Sequence, residues 1–267
     1  MPLRYALWVS AHKQGGAPFL TRLRFEGRSS QSSGYPFNLP FLRGLDLPFE
    51  TAITLLVGEN GSGKSTLLEA IAEKCRLPIG GGGRSELADS TDLGAARSAL
   101  ASSLRAAFRA RPWGGYFVRA QNLVRLADLL EQRERDPDFL GDPYRAYGGR
   151  SLHTRSHGEA LLALFEHRLQ AGGVLLMDEP EAALSPQRQL TLLVLLDDFA
   201  SSGDTQVFMA THSPILMTLP GATLLAIDEE GVRKTTLEET SHYQITRGIL
   251  EAPQRYWKHL RRGTEED

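Results

Sequence analysis

A glycine-rich turn set between an apolar run and a helical pattern constrains this chain more than any other feature. Residues 58–65 read Gly-Glu-Asn-Gly-Ser-Gly-Lys-Ser, a match to the pattern G-x-x-x-x-G-K-[ST]. The β-branched and apolar residues 51–57 before it predict a strand, and residues 64–74 after it carry Thr66, Leu67, Leu68, Ala70 and Ile71 at helical spacing. In a strand–loop–helix context such a turn curls its backbone N–H groups around phosphates while the helix dipole faces the charge. Gly58, Glu59, Asn60, Gly61, Ser62, Gly63, Lys64, Ser65 and Thr66 are therefore the expected phosphate-binding residues. Lys64 is expected at the β- and γ-phosphates and Ser65 at Mg²⁺.

Three later segments fit the same chemistry. Residues 174–179, Val-Leu-Leu-Met-Asp-Glu, predict a buried strand that delivers two carboxylates to the edge of a sheet where ligands bind. Asp178 is expected to hold Mg²⁺ and Glu179 to polarise an attacking water, a general-base contribution of about 10²- to 10⁴-fold. His212 follows a predicted strand over residues 206–210, which places its imidazole at the same edge as a sensor of the γ-phosphate. Ser156, His157, Gly158 and Glu159 open a helix, with Ser156 as N-cap and Glu159 at the third helical position of a capping box. The exposed N–H groups of Ser156, Gly158 and Glu159 also suit the γ-phosphate of a nucleotide bound by another subunit, so two uses stay open. Gln121, after a predicted strand over residues 116–119, is expected near Mg²⁺ and the attacking water, the competing reading being a solvent-facing glutamine.

The remaining pattern predicts strands over residues 3–9, 20–25 and 223–228, and helices over residues 93–108, 123–133, 159–169 and 186–200. Residues 28–40 and 136–153 read as loops, and four glycines at 80–83 as a break. Apolar strands alternating with helices mean a buried, mostly parallel sheet. The expected fold is α/β: a mostly parallel central sheet flanked by helices, with an antiparallel N-terminal flank and a small helical, arginine-rich insert at about residues 84–155. We read residues 1–267 as a single domain.

Composition excludes other classes. The single cysteine, Cys75, cannot form a disulfide framework, and no Cys/His spacing suits zinc, so a reducing cytoplasm is the expected compartment. No stretch approaches the roughly 18 apolar residues of a membrane span, and the first residues do not read as an export signal. No membrane insertion is expected. Net charge is −2, yet residues 97–155 hold eleven arginines, no lysine and six acids. That segment reads as a solvated face or as a surface for phosphate or nucleic-acid backbone.

The ordered series resembles the ATP-binding-cassette ATPases, and more closely the small stand-alone bacterial AAA-family ATPases related to the SMC and RecF branch. The matching stretches are residues 35–40, 56–72, 156–159, 177–186 and 210–216, with a similar tail near 240–250. The resemblance implies a P-loop NTPase with Walker A at 58–65, a signature at 156–159, Walker B ending at Asp178, catalytic Glu179 and Lys64, and a switch histidine at His212. It also implies ATP and Mg²⁺ as cofactors, hydrolysis to ADP and phosphate, and an ATP-dependent head-to-tail homodimer acting as a switch on an unknown protein partner. Three departures stand out. Arg155 and His157 replace an apolar residue and a glycine in the signature, Ala183-Leu-Ser-Pro lacks an aspartate, and only Phe41 and Arg43 offer themselves to adenine. The alternatives are a DNA-associated ATPase in repair or phage defence, a nucleotide-binding subunit of a transporter, and an adaptor that binds ATP without turnover.

Overall fold

Continuous apolar runs buried along their whole length build the centre of the molecule. In this computed structural model residues 16–27, 34–83, 94–169 and 172–262 are described. The strands are β1 (Leu20–Phe25), β2 (Asp46–Pro48), β3 (Ile53–Val57), β4 (Gly82–Gly83), β5 (Leu104–Phe108), β6 (Gly115–Arg119), β7 (Gly173–Asp178), β8 (Thr205–Ala210), β9 (Thr223–Asp228) and β10 (Gly231–Thr235). The helices are α1 (Lys64–Lys74), α2 (Gly94–Ser103), α3 (Leu123–Arg135), α4 (His157–Ala163), α5 (Pro186–Ser201), α6 (Ser241–Glu251) and α7 (Pro253–Arg262).

Among the described residues, seven strands form one sheet in the order β10-β9-β3-β8-β7-β6-β4. The inner five run parallel and the two edges antiparallel. Every residue of β3, β7 and β8 is buried, as a parallel sheet covered on both faces requires. Successive side chains point to opposite faces. Ile53, Leu55, Leu175, Met177, Val207 and Met209 face α3, α4 and α5, whereas Leu56, Val174, Leu176, Phe208 and Ala210 face α1.

The second layer over α1 is a three-stranded antiparallel sheet, β2-β1-β5. Leu20, Leu23, Leu47 and Leu104 bury against Leu67, Leu68 and Ile71 of α1. Gln206, fully buried on β8, locks the two sheets together. Its Oε1 accepts the N–H groups of Phe19 and Leu20 at 2.8 Å each, and its Nε2 donates to the Leu20 carbonyl at 2.8 Å. Buried polar groups persist where they are satisfied in this way.

The antiparallel flank is present, with the expected strand over residues 20–25 at its centre as β1. The strand predicted over residues 3–9 lies outside the described residues. Among the described residues β1 pairs with β2 and β5, and β5 uses residues 104–108 that the pattern assigned to a helix. Pairing of Leu23 with Ala106 and Phe25 with Leu104 overrides helical propensity there. The helix expected over residues 159–169 starts at His157 and passes after Ala163 into a wider π turn, Leu164–Arg168, where the Leu169 N–H donates to the Leu164 carbonyl at 2.8 Å. The segment 136–153 is irregular, as expected, but two of its aromatic residues, Tyr144 and Tyr147, are buried in the core. No helix among the described residues is long and apolar enough to cross a membrane.

Candidate nucleotide site at the strand ends

The parallel strands bring their C-terminal ends to one edge, the position where open α/β sheets bind ligands. From β3 the chain enters the glycine loop and then α1. Gly63 sits at φ +99° just before α1, and a Cβ there would stand 2.5 Å from the ring of Phe41. Gly58 is held as closely, since a Cβ would lie 2.3 Å from the Ile227 carbonyl oxygen. Phe41 is fully buried beneath the loop, so of the two aromatic or cationic candidates for adenine it is excluded. Tyr35, 51% exposed, is the ring that stands beside α1, with its hydroxyl 2.9 Å from Thr66 Oγ1.

Lys64 is folded over the loop, its Nζ donating to the carbonyls of Gly58 and Glu59 at 2.9 Å each. Burial is the largest influence on its ammonium and holds it below the ordinary lysine value, against the opposing pull of Glu179 and Asp178. Ser65 Oγ donates to Asp178 Oδ1 at 2.8 Å. Arg119, at the end of β6, lies 3.3 Å from Asp178 Oδ2 and also pairs with buried Glu69 of α1. Sequence reasoning missed Arg119, because its partners come from α1 and β7. Gln121 follows in a short turn, Ala120–Asn122, and its side chain lies outside the described residues.

Glu179 has φ +48° and ψ +56°, a left-handed conformation costly for a residue with a Cβ. The bend is held because its N–H donates to the Ala210 carbonyl of β8 at 3.0 Å and Pro180 follows. Its carboxylate is thereby turned toward His212: Oε1 lies 3.3 Å from Nε2. That Nε2 is buried and makes no hydrogen bond among the described residues. The His212 backbone N–H donates to Glu181 Oε1 at 2.6 Å. On the other side of the ring, Nδ1 meets His242 Nε2 at 2.8 Å.

The segment 156–159 forms the expected capping box. The Ser156 N–H donates to Glu159 Oε2 at 2.9 Å and the Glu159 N–H to Ser156 Oγ at 3.3 Å. Arg188 of α5 binds both side chains, at 2.7 and 2.9 Å. Gly158 is buried, and a Cβ there would lie 2.9 Å from the Ala183 carbonyl oxygen. Among the described residues no hydrogen bond or ion pair links Ser156, Gly158 or Glu159 to the glycine loop of the same chain. The structure therefore brings Lys64, Ser65, Asp178, Glu179 and His212 together and holds the capping box apart.

A cleft of about 480 Å³ flanks the outer side of the loop, lined by Gly58, Asn60, Asp228, Arg233, Thr240 and His242 among others. Another of about 450 Å³ opens near Trp113 and the starts of β6 and β7, at the opposite end of the parallel strands and away from these groups. The donor chemistry fits Mg²⁺: a hydroxyl and a carboxylate oxygen stand 2.8 Å apart, with no cluster of three His, Cys, Asp or Glu side chains among the described residues. Magnesium is bound in this manner, by one or two protein oxygens completed by phosphate and water.

Strand ends, glycine loop and converging carboxylates define the class: an α/β protein with the P-loop NTPase fold. Comparison with known proteins agrees. The family described as "AAA domain, putative AbiEii toxin, Type IV TA system" matches residues 160–218, and "AAA domain" matches residues 37–72. The thiamine import ATP-binding protein ThiQ of Cereibacter sphaeroides is 31% identical over 177 residues, covering 60% of this chain and 70% of the relative. The hemin import ATP-binding protein HmuV of Streptomyces coelicolor is 32% identical over 188 residues, covering 63% of this chain, which spans only 62% of that relative's length. The solved cbiO1 of Clostridium perfringens, part of the ABC transporter complex cbiONQ, is 17% identical, with a TM-score of 0.47 over 91% of this chain and 99% of the other. The chain belongs to the ATP-binding-cassette ATPases.

Proposed function

We propose that this chain binds ATP with Mg²⁺ at the strand ends and hydrolyses it to ADP and phosphate. The observation that carries the reading is the meeting of three strand termini: Ser65 with Asp178 at 2.8 Å, and Glu179 with His212 at 3.3 Å. The loop N–H groups and Lys64 bind the phosphates, Lys64 exchanging its loop carbonyls for phosphate oxygens. Ser65 and Asp178 are the residues that would hold Mg²⁺, which when bound neutralises charge on the phosphate oxygens. Glu179 accepts a proton from the attacking water, and His212 presents Nε2 toward the terminal phosphate. Tyr35 beside Thr66 offers a ring to the base.

Among the described residues the capping box makes no hydrogen bond with its own chain's loop, which supports its use on the nucleotide of a second copy in a head-to-tail dimer. On this reading ATP closes the dimer and hydrolysis opens it, making the chain a switch for a protein partner. A second reading is a nucleotide-binding subunit of a transporter, favoured by relatives named as import ATP-binding proteins. Contact with nucleic acid has less support. Several arginines of residues 97–155 are engaged within the chain: Arg119 with Glu69 and Asp178, Arg105 with Glu26, Arg135 with Glu131, and Arg155 with the Tyr147 carbonyl.

Phosphate release and light scattering on the natural chain and on Glu179→Gln test the proposal. Turnover by the natural chain, with an ATP-dependent dimer that does not turn over in the variant, is the expected result. A natural chain without turnover at saturating Mg-ATP overturns the enzymatic reading, and a variant that stays monomeric overturns the dimer.

A further inference from the structure

The imidazole nearest the terminal-phosphate position is itself held by a second histidine that arrives from the far end of the chain. His212 Nδ1 and His242 Nε2 are 2.8 Å apart, and the rings are tilted at 56° with centroids 4.9 Å apart, as in an in-line hydrogen bond between ring edges. His242 is the second residue of α6, a helix with no buried residue. What fixes α6 is its first turn. Buried Thr240 caps it, with Oγ1 accepting the Tyr243 N–H at 3.3 Å and donating to the Leu237 carbonyl at 2.7 Å. Ser241 Oγ donates to Glu59 Oε1 of the glycine loop at 3.2 Å.

One proton sits between the two rings, and the neighbouring charge decides where the others go. If neutral His212 donated from Nδ1, its Nε2 lone pair would face the Glu179 carboxylate 3.3 Å away, lone pair against anion. The arrangements that avoid this both leave a proton on Nε2. In one, His242 donates from Nε2 to the Nδ1 of neutral His212. In the other, His212 is doubly protonated and donates to His242. Both have a neutral His242. Its surroundings agree: burial and His212 hold its pKa below the usual histidine value, with Glu59 opposing and Lys64 assisting.

We propose that His242 is a positioning residue for the reaction, fixing the ring of His212 so that Nε2 always presents an N–H to the terminal phosphate. The buried Nε2, which makes no hydrogen bond among the described residues, is the donor that a phosphate oxygen would satisfy. This rests on the reading of the strand ends as the ATP site, and it adds a residue from α6 to a site otherwise built from the ends of β3, β7 and β8.

The test compares His242→Ala and His242→Gln with the natural chain in two readouts. Ring nitrogen NMR of nucleotide-free protein reports the His212 tautomer directly. The natural chain is expected to show a protonated Nε2, His242→Ala a mixture of tautomers, and His242→Gln, whose amide can still donate to Nδ1, the natural pattern. In ATP turnover His242→Ala should lose about 10- to 100-fold in kcat, the size found for partners that orient metal-bound histidines, while His242→Gln recovers most of it. ATP affinity should stay within about threefold in both variants, a change of less than 1 kcal/mol. The proposal is overturned if His242→Ala keeps both the natural kcat and a single Nε2-protonated tautomer, or if Gln fails to rescue while the fold is intact. A natural chain that does not turn over ATP would defeat the ATPase reading alone, because the tautomer measurement still decides the role of His242.

Discussion

Arg119 reaches across the back of the site to the carboxylate that Ser65 already holds: its guanidinium is 3.3 Å from Asp178 Oδ2, and Ser65 Oγ is 2.8 Å from Oδ1. The same guanidinium pairs with Glu69, whose side chain is 3% exposed. One arginine thus joins α1 to the ends of β6 and β7.

Replacing Arg119 by Ala should therefore act on stability before chemistry. It removes this cation from two buried carboxylates, and breaking a buried pair from one side costs roughly 3 to 5 kcal/mol. Chemical denaturation should show a loss of this size for Arg119→Ala. A loss below about 1 kcal/mol, the range of exposed ion pairs, would show that the pair is solvent-screened.

Gly63→Ala should damage both fold and binding. The residue needs φ +99°, and the added Cβ would meet the Phe41 ring at 2.5 Å. Strain of this kind costs on the order of 1 to 3 kcal/mol. At this chain size that lowers the melting temperature by several degrees, on the order of 2 to 4 °C per kcal/mol. Differential scanning calorimetry with and without Mg-ATP checks both parts, since the variant should also lose the stabilisation that ATP gives the natural chain.

Tyr35 separates ring from hydroxyl. Loss of a base–aromatic stack costs about 1 to 3 kcal/mol, so Tyr35→Ala should weaken ATP affinity by roughly 5- to 150-fold. Tyr35→Phe keeps the ring and loses only the contact to Thr66, so its affinity should stay near natural. Equal weakening in the two variants, measured by titration calorimetry, would place the effect in the hydroxyl instead.

Acidification should loosen the first turn of α6. The pKa of His242 is depressed in the folded chain, so below about 6.5, the unperturbed histidine value, the unfolded chain binds more protons than the folded one. Stability contributed by neutral His242 is therefore complete above that pH and is lost as pH falls through the folded value. Melting temperature followed from pH 8 to pH 5 should drop more steeply for the natural chain than for His242→Gln. Parallel curves would remove His242 from the titration.

The parts of the site written in local pattern were legible in the sequence. The run into Val57, the glycine loop and the helix from Lys64 each declare themselves within a few residues. The apolar run ending at Asp178 does the same. Residues that act through distant partners were not. Arg119 looks like any strand-terminal arginine until α1 and β7 flank it, and His242 has no local signature because its partner is thirty residues away. Leu104 to Phe108 fit a helix by composition and became a strand because β1, some eighty residues earlier, offered an edge. The helix over residues 241–251 was left unassigned for another reason: α6 buries no residue, so the apolar periodicity that marks core helices had little to report there.

The tie between α6 and His212 also sets a schedule for biosynthesis. His242 is made 184 residues after Gly58. At 5–20 residues per second that interval is roughly ten to forty seconds. During it the strands β8 and β9 that flank β3, and Ile227 against which Gly58 packs, are still being made, so the histidine pair completes the site only after the sheet that carries the loop.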